Sequence, residues 1–194
     1  NFEAYKLIES WPKWSSKCLN IFGPKGCGKT HLINILKKKM KILYLKDDEI
    51  HKLNIKKIEE YECIVIDELN NFDDERKFYT ILNHLKQVDV CIICSSIKPI
   101  NQLSIKLPDL KSRLNSFLYL GIDLPTDELL RVIMLKYFSD KQTKIDLKVL
   151  EYMIKNIERS YEYVFMVLKK IDEHSLSLGK PISINLVKKI LENE

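Results

Sequence analysis

Up to Pro125 the chain sets short, evenly apolar runs among longer stretches in which apolar residues return every three or four positions. The runs Cys18–Phe22, Ile42–Leu45, Tyr61–Ile66, Val90–Ser95 and Phe117–Ile122 lack the alternation of a strand with one wet face, so they read as strands buried on both sides. Phe2–Ser10, Thr30–Met40 and Asp73–Gln87 have helical spacing. This alternation predicts an α/β fold, a parallel sheet in a three-layer arrangement with helices on both faces. Beyond Pro125 the strand runs stop. Thr126 opens a helix whose Leu129, Leu130, Ile133, Met134 and Tyr137 recur at helical spacing. Leu147–Asn156, Tyr161–Leu176 and a run from Ser183, just after Pro181, continue the same period. Two domains are expected, an α/β domain over residues 1–123 and a small all-α domain over 124–194.

The helix expected at Thr30 follows Gly23-Pro24-Lys25-Gly26-Cys27-Gly28-Lys29-Thr30, a complete phosphate-binding P-loop between an apolar strand and a helical run that continues through His31. Glycines let successive N–H groups turn into one hollow, and the helix N-terminus adds its positive dipole end. Lys29 supplies a mobile cation for the outer phosphates, and the Thr30 hydroxyl is a candidate Mg²⁺ ligand. A later strand, Cys63-Ile64-Val65-Ile66, ends in Asp67-Glu68. At the carboxyl edge of a parallel sheet Asp67 is expected beside the P-loop, holding Mg²⁺ directly or through water. Glu68 is then placed to orient or deprotonate an attacking water. The next strand runs into Ser95-Ser96, where a polar side chain is expected at the γ-phosphate or at that water.

Composition narrows the setting. A chain of 194 residues can bury a proper core, and no apolar stretch is long enough to span a membrane. No secretory signal opens it, and Asn1 in place of Met leaves room for a native segment before it. Five cysteines without a regular framework suggest a reducing, cytoplasmic setting. Cys91 and Cys94 resemble a redox pair, but a three-residue offset puts them on opposite faces of a strand, where they read as buried small hydrophobes. The net charge of +5 comes mostly from scattered lysines, which read as a solvated surface rather than a DNA track. Only four of the 32 basic residues are arginine: Arg76, Arg113, Arg131 and Arg159. Trp11 and Trp14 read as packing anchors, His31 as packed at the P-loop helix, and His51, His84 and His174 show no metal spacing.

The P-loop with its following His31, the Asp67-Glu68 pair, the segment Leu107-Pro108-Asp109-Leu110-Lys111-Ser112-Arg113-Leu114 and the helical tail together resemble the DnaA/Hda family of AAA+ replication regulators. The likeness is to the AAA+ module of the initiator DnaA, and more to its shorter relative Hda, the regulatory inactivator of DnaA. It is strongest at the P-loop, at Leu107–Leu114, and around Val164–Ile171 and Pro181–Leu191. The resemblance implies an AAA+ base domain with a helical lid, ADP or ATP as ligand with Mg²⁺, and regulation of replication initiation. It places Arg113 at the family's arginine finger, which enters a neighbouring subunit's nucleotide site, and Asn1 to Tyr5 beside the adenine. It implies DnaA and the DNA polymerase sliding clamp as partners; the composition is what speaks against a membrane or direct DNA contact. A homo-oligomer is left open. The sequence ends where the initiator would continue into a DNA-binding domain, which favours the inactivator. Three positions depart from the family pattern. Ser96 stands where the family has an acid. Glu162 stands where it has a phosphate-sensing arginine, a role that Arg159, one helical turn earlier, is expected to take over. The third departure is the clamp-binding peptide, which the family carries near its N-terminus; here only the internal Gln102–Leu107 resembles one. The expected catalytic residues are therefore Glu68, Ser96 and Arg113, with slow turnover by the chain itself. The alternatives are a P-loop kinase of a small acceptor and a DNA-bound ATPase of the helicase-loader type.

Overall fold

The computed structural model describes residues 2–46, 49, 50, 53 and 55–192. Asn1 and His51, both considered above, lie outside the described residues. The chain forms two compact units, Asn1–Asp123 and Leu124–Glu194.

The first unit runs α1 (Phe2–Glu9), β1 (Cys18–Phe22), α2 (Lys29–Leu36), β2 (Ile42–Lys46), β3 (Cys63–Asp67), α3 (Glu75–Gln87), β4 (Cys91–Ser96), α4 (Pro108–Asn115) and β5 (Leu118–Gly121). Among the described residues the strands form one five-stranded sheet in the order β2-β3-β4-β1-β5, each pair parallel. Leu19, Ile93 and Val65 point to one face, where Ala4 and Ile8 of α1 and Ile33 and Leu36 of α2 cover them. Ile92, Cys94, Ile64 and Ile66 point to the other, covered by Phe78, Ile81 and Leu85 of α3 and by Leu110 and Leu114 of α4. The expected α/β sandwich is present. Cys91 belongs to the first core and Cys94 to the second, so they do not form a redox pair across a turn. The Cys63 thiol, hydrogen-bonded to Cys91 and fully buried, is pushed well above the usual range.

Several boundaries shift by one or more residues from expectation, and two of the shifts have clear local reasons. α2 stops at Leu36 rather than Met40. Lys38 and Lys39 donate to the carbonyls of Ile35 and Leu36 at 3.2 and 2.8 Å, a three-residue tightening that turns Met40 into the core. β3 begins at Cys63 rather than Tyr61. Glu62 is tied instead to Lys41, whose N–H donates to Glu62 Oε2 at 2.7 Å while the Glu62 N–H donates to the Lys41 carbonyl at 3.0 Å. Trp11 and Trp14 are packing anchors, meeting edge to face with centroids 4.7 Å apart, and Trp14 Nε1 donates to the Leu7 carbonyl at 2.6 Å.

Asn20 is an amide in the middle of β1 with no solvent exposure. Its Nδ2 donates to the Cys94 carbonyl at 3.0 Å and to Ser96 Oγ at 2.9 Å, and its Oδ1 accepts from the Ile100 N–H at 3.1 Å. Truncation strands buried groups on two neighbouring segments, and an orphaned buried donor or acceptor costs about 1–3 kcal/mol. Asn20→Ala is expected to lower the urea midpoint by at least that equivalent with the slope unchanged. A variant as stable as the parent would mean water replaces the amide.

The second unit is helical: α5 (Asp127–Asp140), α6 (Leu147–Asn156), α7 (Tyr161–Leu178) and α8 (Ile184–Glu192). Side chains cap all four, Ser183 before α8 accepting from Leu186 N–H at 3.3 Å. Thr126 accepts from Leu129 N–H at 3.3 Å, Asp146 from Lys148 N–H at 2.7 Å, and Ser160 from Tyr163 N–H at 3.2 Å. Gly179, at φ 58°, ends α7 in the left-handed conformation. Leu130, Met134, Met153, Leu168, Ile171 and Val187 are among the core residues. No helix among the described residues is long and apolar enough to cross a membrane.

Candidate functional site

The P-loop leaves β1 at Phe22 in the interior of the sheet, with β4 on one side and β5 on the other. Gly23 is required by contact: a Cβ there would collide with the Ile122 carbonyl oxygen and press on Cys27 Sγ. Its N–H donates to the Ser96 carbonyl at 3.2 Å, which fixes the start of the loop to the end of β4. Gly26 and Gly28 have φ of 78° and 101°, and Gly28 is the N-cap from which α2 starts at Lys29. Lys29 Nζ donates to the carbonyls of Gly23 at 2.8 Å and Pro24 at 3.0 Å, so the ammonium is held over the loop. Cys27 is buried beneath it, while Pro24, Lys25 and Thr30 are exposed. His31 is also exposed, contrary to the packed position expected from sequence.

β4 separates the strand that carries the P-loop from β3. Neighbouring strands lie about 4.8 Å apart, so β1 and β3 are roughly 10 Å apart and leave a slot over the end of β4. Asp67 ends β3 and is 8% exposed. Its Oδ1 accepts from the Ser95 hydroxyl and from the Glu68 N–H, the latter at 3.1 Å; its Oδ2 accepts from the Tyr44 hydroxyl. Strand alternation explains the grouping. Tyr44 pairs with Val65 and Ile93 with Val65, and two residues further along the same face come Asp67 and Ser95. That is the face on which α2 lies.

Ser96 points the other way. It is 1% exposed, donates to the Lys98 carbonyl at 2.6 Å and accepts from Asn20. The β4 side chain in contact with Asp67 is therefore Ser95, and Ser96 fastens β4 to β1 and to the following turn. Glu68 adopts a left-handed φ of 59°, which for a residue with a Cβ costs about 1–2 kcal/mol. Its N–H donates to Ser95 Oγ at 3.0 Å, its carbonyl accepts from Asn70 Nδ2 at 2.7 Å, and its side chain is exposed.

Asp67 and the Thr30 hydroxyl are hard oxygen donors. Among the described residues no group of three or more His, Cys, Asp or Glu side chains gathers to cage a metal. One carboxylate and one hydroxyl, completed by phosphate oxygens and water, is the donor set that suits Mg²⁺.

Arg113 lies at the opposite edge of the sheet from the P-loop. α4 ends at Asn115 and leads into β5, whose Leu118 pairs with Leu19 at the amino end of β1. Arg113 Nη2 donates to Asn83 Oδ1 of α3 at 3.0 Å. It is close enough to Cys18 that it and Lys86 oppose the burial that pushes that thiol up. α3 also holds the start of α4, since Glu75 accepts from the Leu107 N–H at 2.6 Å and from Lys106 N–H at 2.9 Å. In Gln102–Leu107, the apolar side chains Leu103, Ile105 and Leu107 pack on the molecule's own core. In the second unit, Arg159 Nη2 pairs with Asp127 Oδ1 at 2.7 Å. Glu162 sits in the first turn of α7, where the helix dipole favours an acid.

Sequence reading missed Tyr44, Ser95 as a partner of Asp67, Asn20 and Asn83. A tyrosine two residues before the end of β2 and a polar residue in the apolar Cys18–Phe22 run are the signals it held.

No protein-family model matches the chain. An uncharacterized protein of Haemophilus influenzae is 26% identical over 185 residues, covering 88% of this chain and 80% of that protein. The chromosomal replication initiator DnaA of Corynebacterium aurimucosum is 25% identical over 191 residues, covering 87% of this chain; the chain spans 35% of the initiator's length. Among solved structures, domain III of the Thermotoga maritima replication initiation protein DnaA superposes with a TM-score of 0.75 at 16% identity, covering 99% of this chain and 89% of that one. AMPPCP-bound DnaA from Aquifex aeolicus gives 0.72 at 19% identity, covering 89% and 61%. The Thermotoga maritima RuvB Holliday junction branch migration motor gives 0.73 at 18% identity, covering 98% and 67%. The fold is AAA+-like, shared with DnaA domain III and RuvB.

Proposed function

We propose that this chain is a nucleotide-binding AAA+ regulator of chromosomal replication initiation, of the Hda kind, that promotes ATP hydrolysis on DnaA through Arg113 in trans. The observation that carries the reading is the separation of two half-sites on one sheet. The P-loop and Asp67 stand at the carboxyl edge with β4 between their strands, and the arginine stands at the amino edge. A site built this way holds a nucleotide and leaves its arginine to serve another molecule. The likeness to DnaA domain III, and to a DnaA that carries AMPPCP, supports an adenine nucleotide as ligand.

In this reading the loop amides from Gly23 to Thr30 and the Lys29 ammonium bind the phosphates. Thr30 and Asp67 hold Mg²⁺, which when bound neutralises charge on the outer phosphates. Glu68, exposed directly after Asp67, is the residue to orient or deprotonate an attacking water, and Ser95 keeps Asp67 oriented. Arg113, a planar fork, is suited to offset charge on a neighbour's transferring phosphoryl group. The sliding clamp is proposed as a further partner, engaged outside Gln102–Leu107, whose apolar residues are used in the core.

Mass spectrometry of the nucleotide released from the purified chain tests the ligand, and phosphate release from ATP-loaded DnaA, with clamp on DNA present, tests the role. Co-purifying ADP or ATP and a chain-dependent burst of phosphate are expected. A chain that neither carries nor binds adenine nucleotide would sink the proposal.

A further inference from the structure

Tyr44 reaches the candidate site from β2, the edge strand, and its hydroxyl donates to Asp67 Oδ2. Asp67 Oδ1 already accepts twice, from the Ser95 hydroxyl and from the Glu68 N–H. A carboxylate offers about four acceptor directions, two on each oxygen, so among the described residues a single direction on Oδ2 is left. Which way that direction points is set by the phenol. The ring is itself fixed: it packs partly buried against the first core, and the Lys37 ammonium, at the C-cap of α2, lies 4.3 Å from its centroid. A cation over a tyrosine face holds the ring in place. The P-loop helix, the edge strand and the acid at the end of β3 are thereby joined through one side chain.

We propose that Tyr44 is a positioning residue for the divalent cation: it holds Asp67 so that the one remaining lone pair of Oδ2 faces the metal or its water. This rests on the nucleotide-site reading of the P-loop. Groups that orient a metal-binding carboxylate are typically worth about 10–100-fold in metal affinity. Tyr44→Phe keeps the ring, its packing and its cation contact, and removes only the donor.

The experiment is calorimetric titration of ADP into the full chain, in EDTA and across a series of MgCl₂ concentrations. In Tyr44→Phe the Mg²⁺ concentration that gives half of the magnesium-dependent gain in ADP affinity is expected to rise about 10–100-fold, with ADP affinity in EDTA unchanged. Ser95→Ala, which takes the hydroxyl donor from the other oxygen, is expected to move the midpoint the same way and covers the case in which Tyr44→Phe folds poorly. A midpoint that stays or falls in the folded variants overturns the proposal, and so does an EDTA affinity that drops in parallel, since that would be general damage to the pocket. ADP binding by the parent chain with no dependence on Mg²⁺ overturns the role of Tyr44 and leaves the nucleotide site standing. No ADP binding by the parent under any condition overturns both.

Discussion

Under the proposed function, Arg113→Ala is expected to bind ADP as the parent chain does and to give no stimulation of ATP hydrolysis on the initiator, an effect of about 10³–10⁵ in rate for fingers supplied in trans. Geometry separates the two readouts. β1 runs the five residues from Cys18 to Phe22 between the edge that bears Arg113 and the edge that bears the P-loop. At about 3.3 Å per residue the two edges stand well over 10 Å apart, beyond what an arginine anchored in the last turn of α4 spans while still gripping phosphate. Arg113 is half-buried and its guanidinium is already held by Asn83, so it is presented in one orientation rather than trailing in solvent. Arg113→Lys is expected to rescue poorly, because an ammonium cannot form the two parallel hydrogen bonds of the fork. The check is phosphate release from ATP-loaded initiator with clamp on DNA, alongside ADP calorimetry on each variant. Full stimulation by Arg113→Ala would remove the mechanism from the proposed function. Loss of ADP binding in the same variant would place the arginine in its own chain's site.

Lys29→Ala is expected to weaken nucleotide binding at least tenfold, about 1.4 kcal/mol, with the fold retained. Among the described residues the ammonium hydrogen-bonds loop carbonyls and Cys27 Sγ, so no packed core collapses when the side chain is removed. The loss falls on the cation held over the P-loop, and the amides that remain, aided by the α2 dipole, account for the residual affinity. ADP calorimetry decides it. Equal affinity in Lys29→Ala would mean that the P-loop pattern persists in this chain without its chemistry.

The strands are legible in the sequence because a parallel sheet covered on both faces leaves evenly apolar runs. Cys18–Phe22 is both the predicted and the observed β1. The same evenness hides the phase. In Val90–Cys94 every residue is apolar, so nothing local says whether Ser95 or Ser96 faces the P-loop helix; only the pairing of Val65 with Ile93 settles it. The partners of Asp67 are illegible for a different reason. Tyr44 is 23 residues away along the chain, and its contact exists only because β2 and β3 are neighbours. Asn83 holding Arg113 across 30 residues likewise depends on α3 and α4 sharing a face. Helix α2 ends early because Met40 must reach the core, a tertiary demand that outweighs the helical period of Thr30–Met40.

The buried amide of Asn20 also governs register. Side chains alternate along a strand, so a one-residue slip of β1 would turn Asn20 into the apolar face beneath α1 and α2 and leave its three hydrogen-bond partners unmet. Purely apolar neighbours such as Leu19 and Ile21 would tolerate such a slip far better, since either face of the sheet is greasy. Each residue of slip displaces the end of β1 by about 3.3 Å, roughly the difference between a hydrogen bond to phosphate and none. The P-loop hangs from that end, so one polar residue in the middle of the strand fixes the height at which its amides stand beside Asp67.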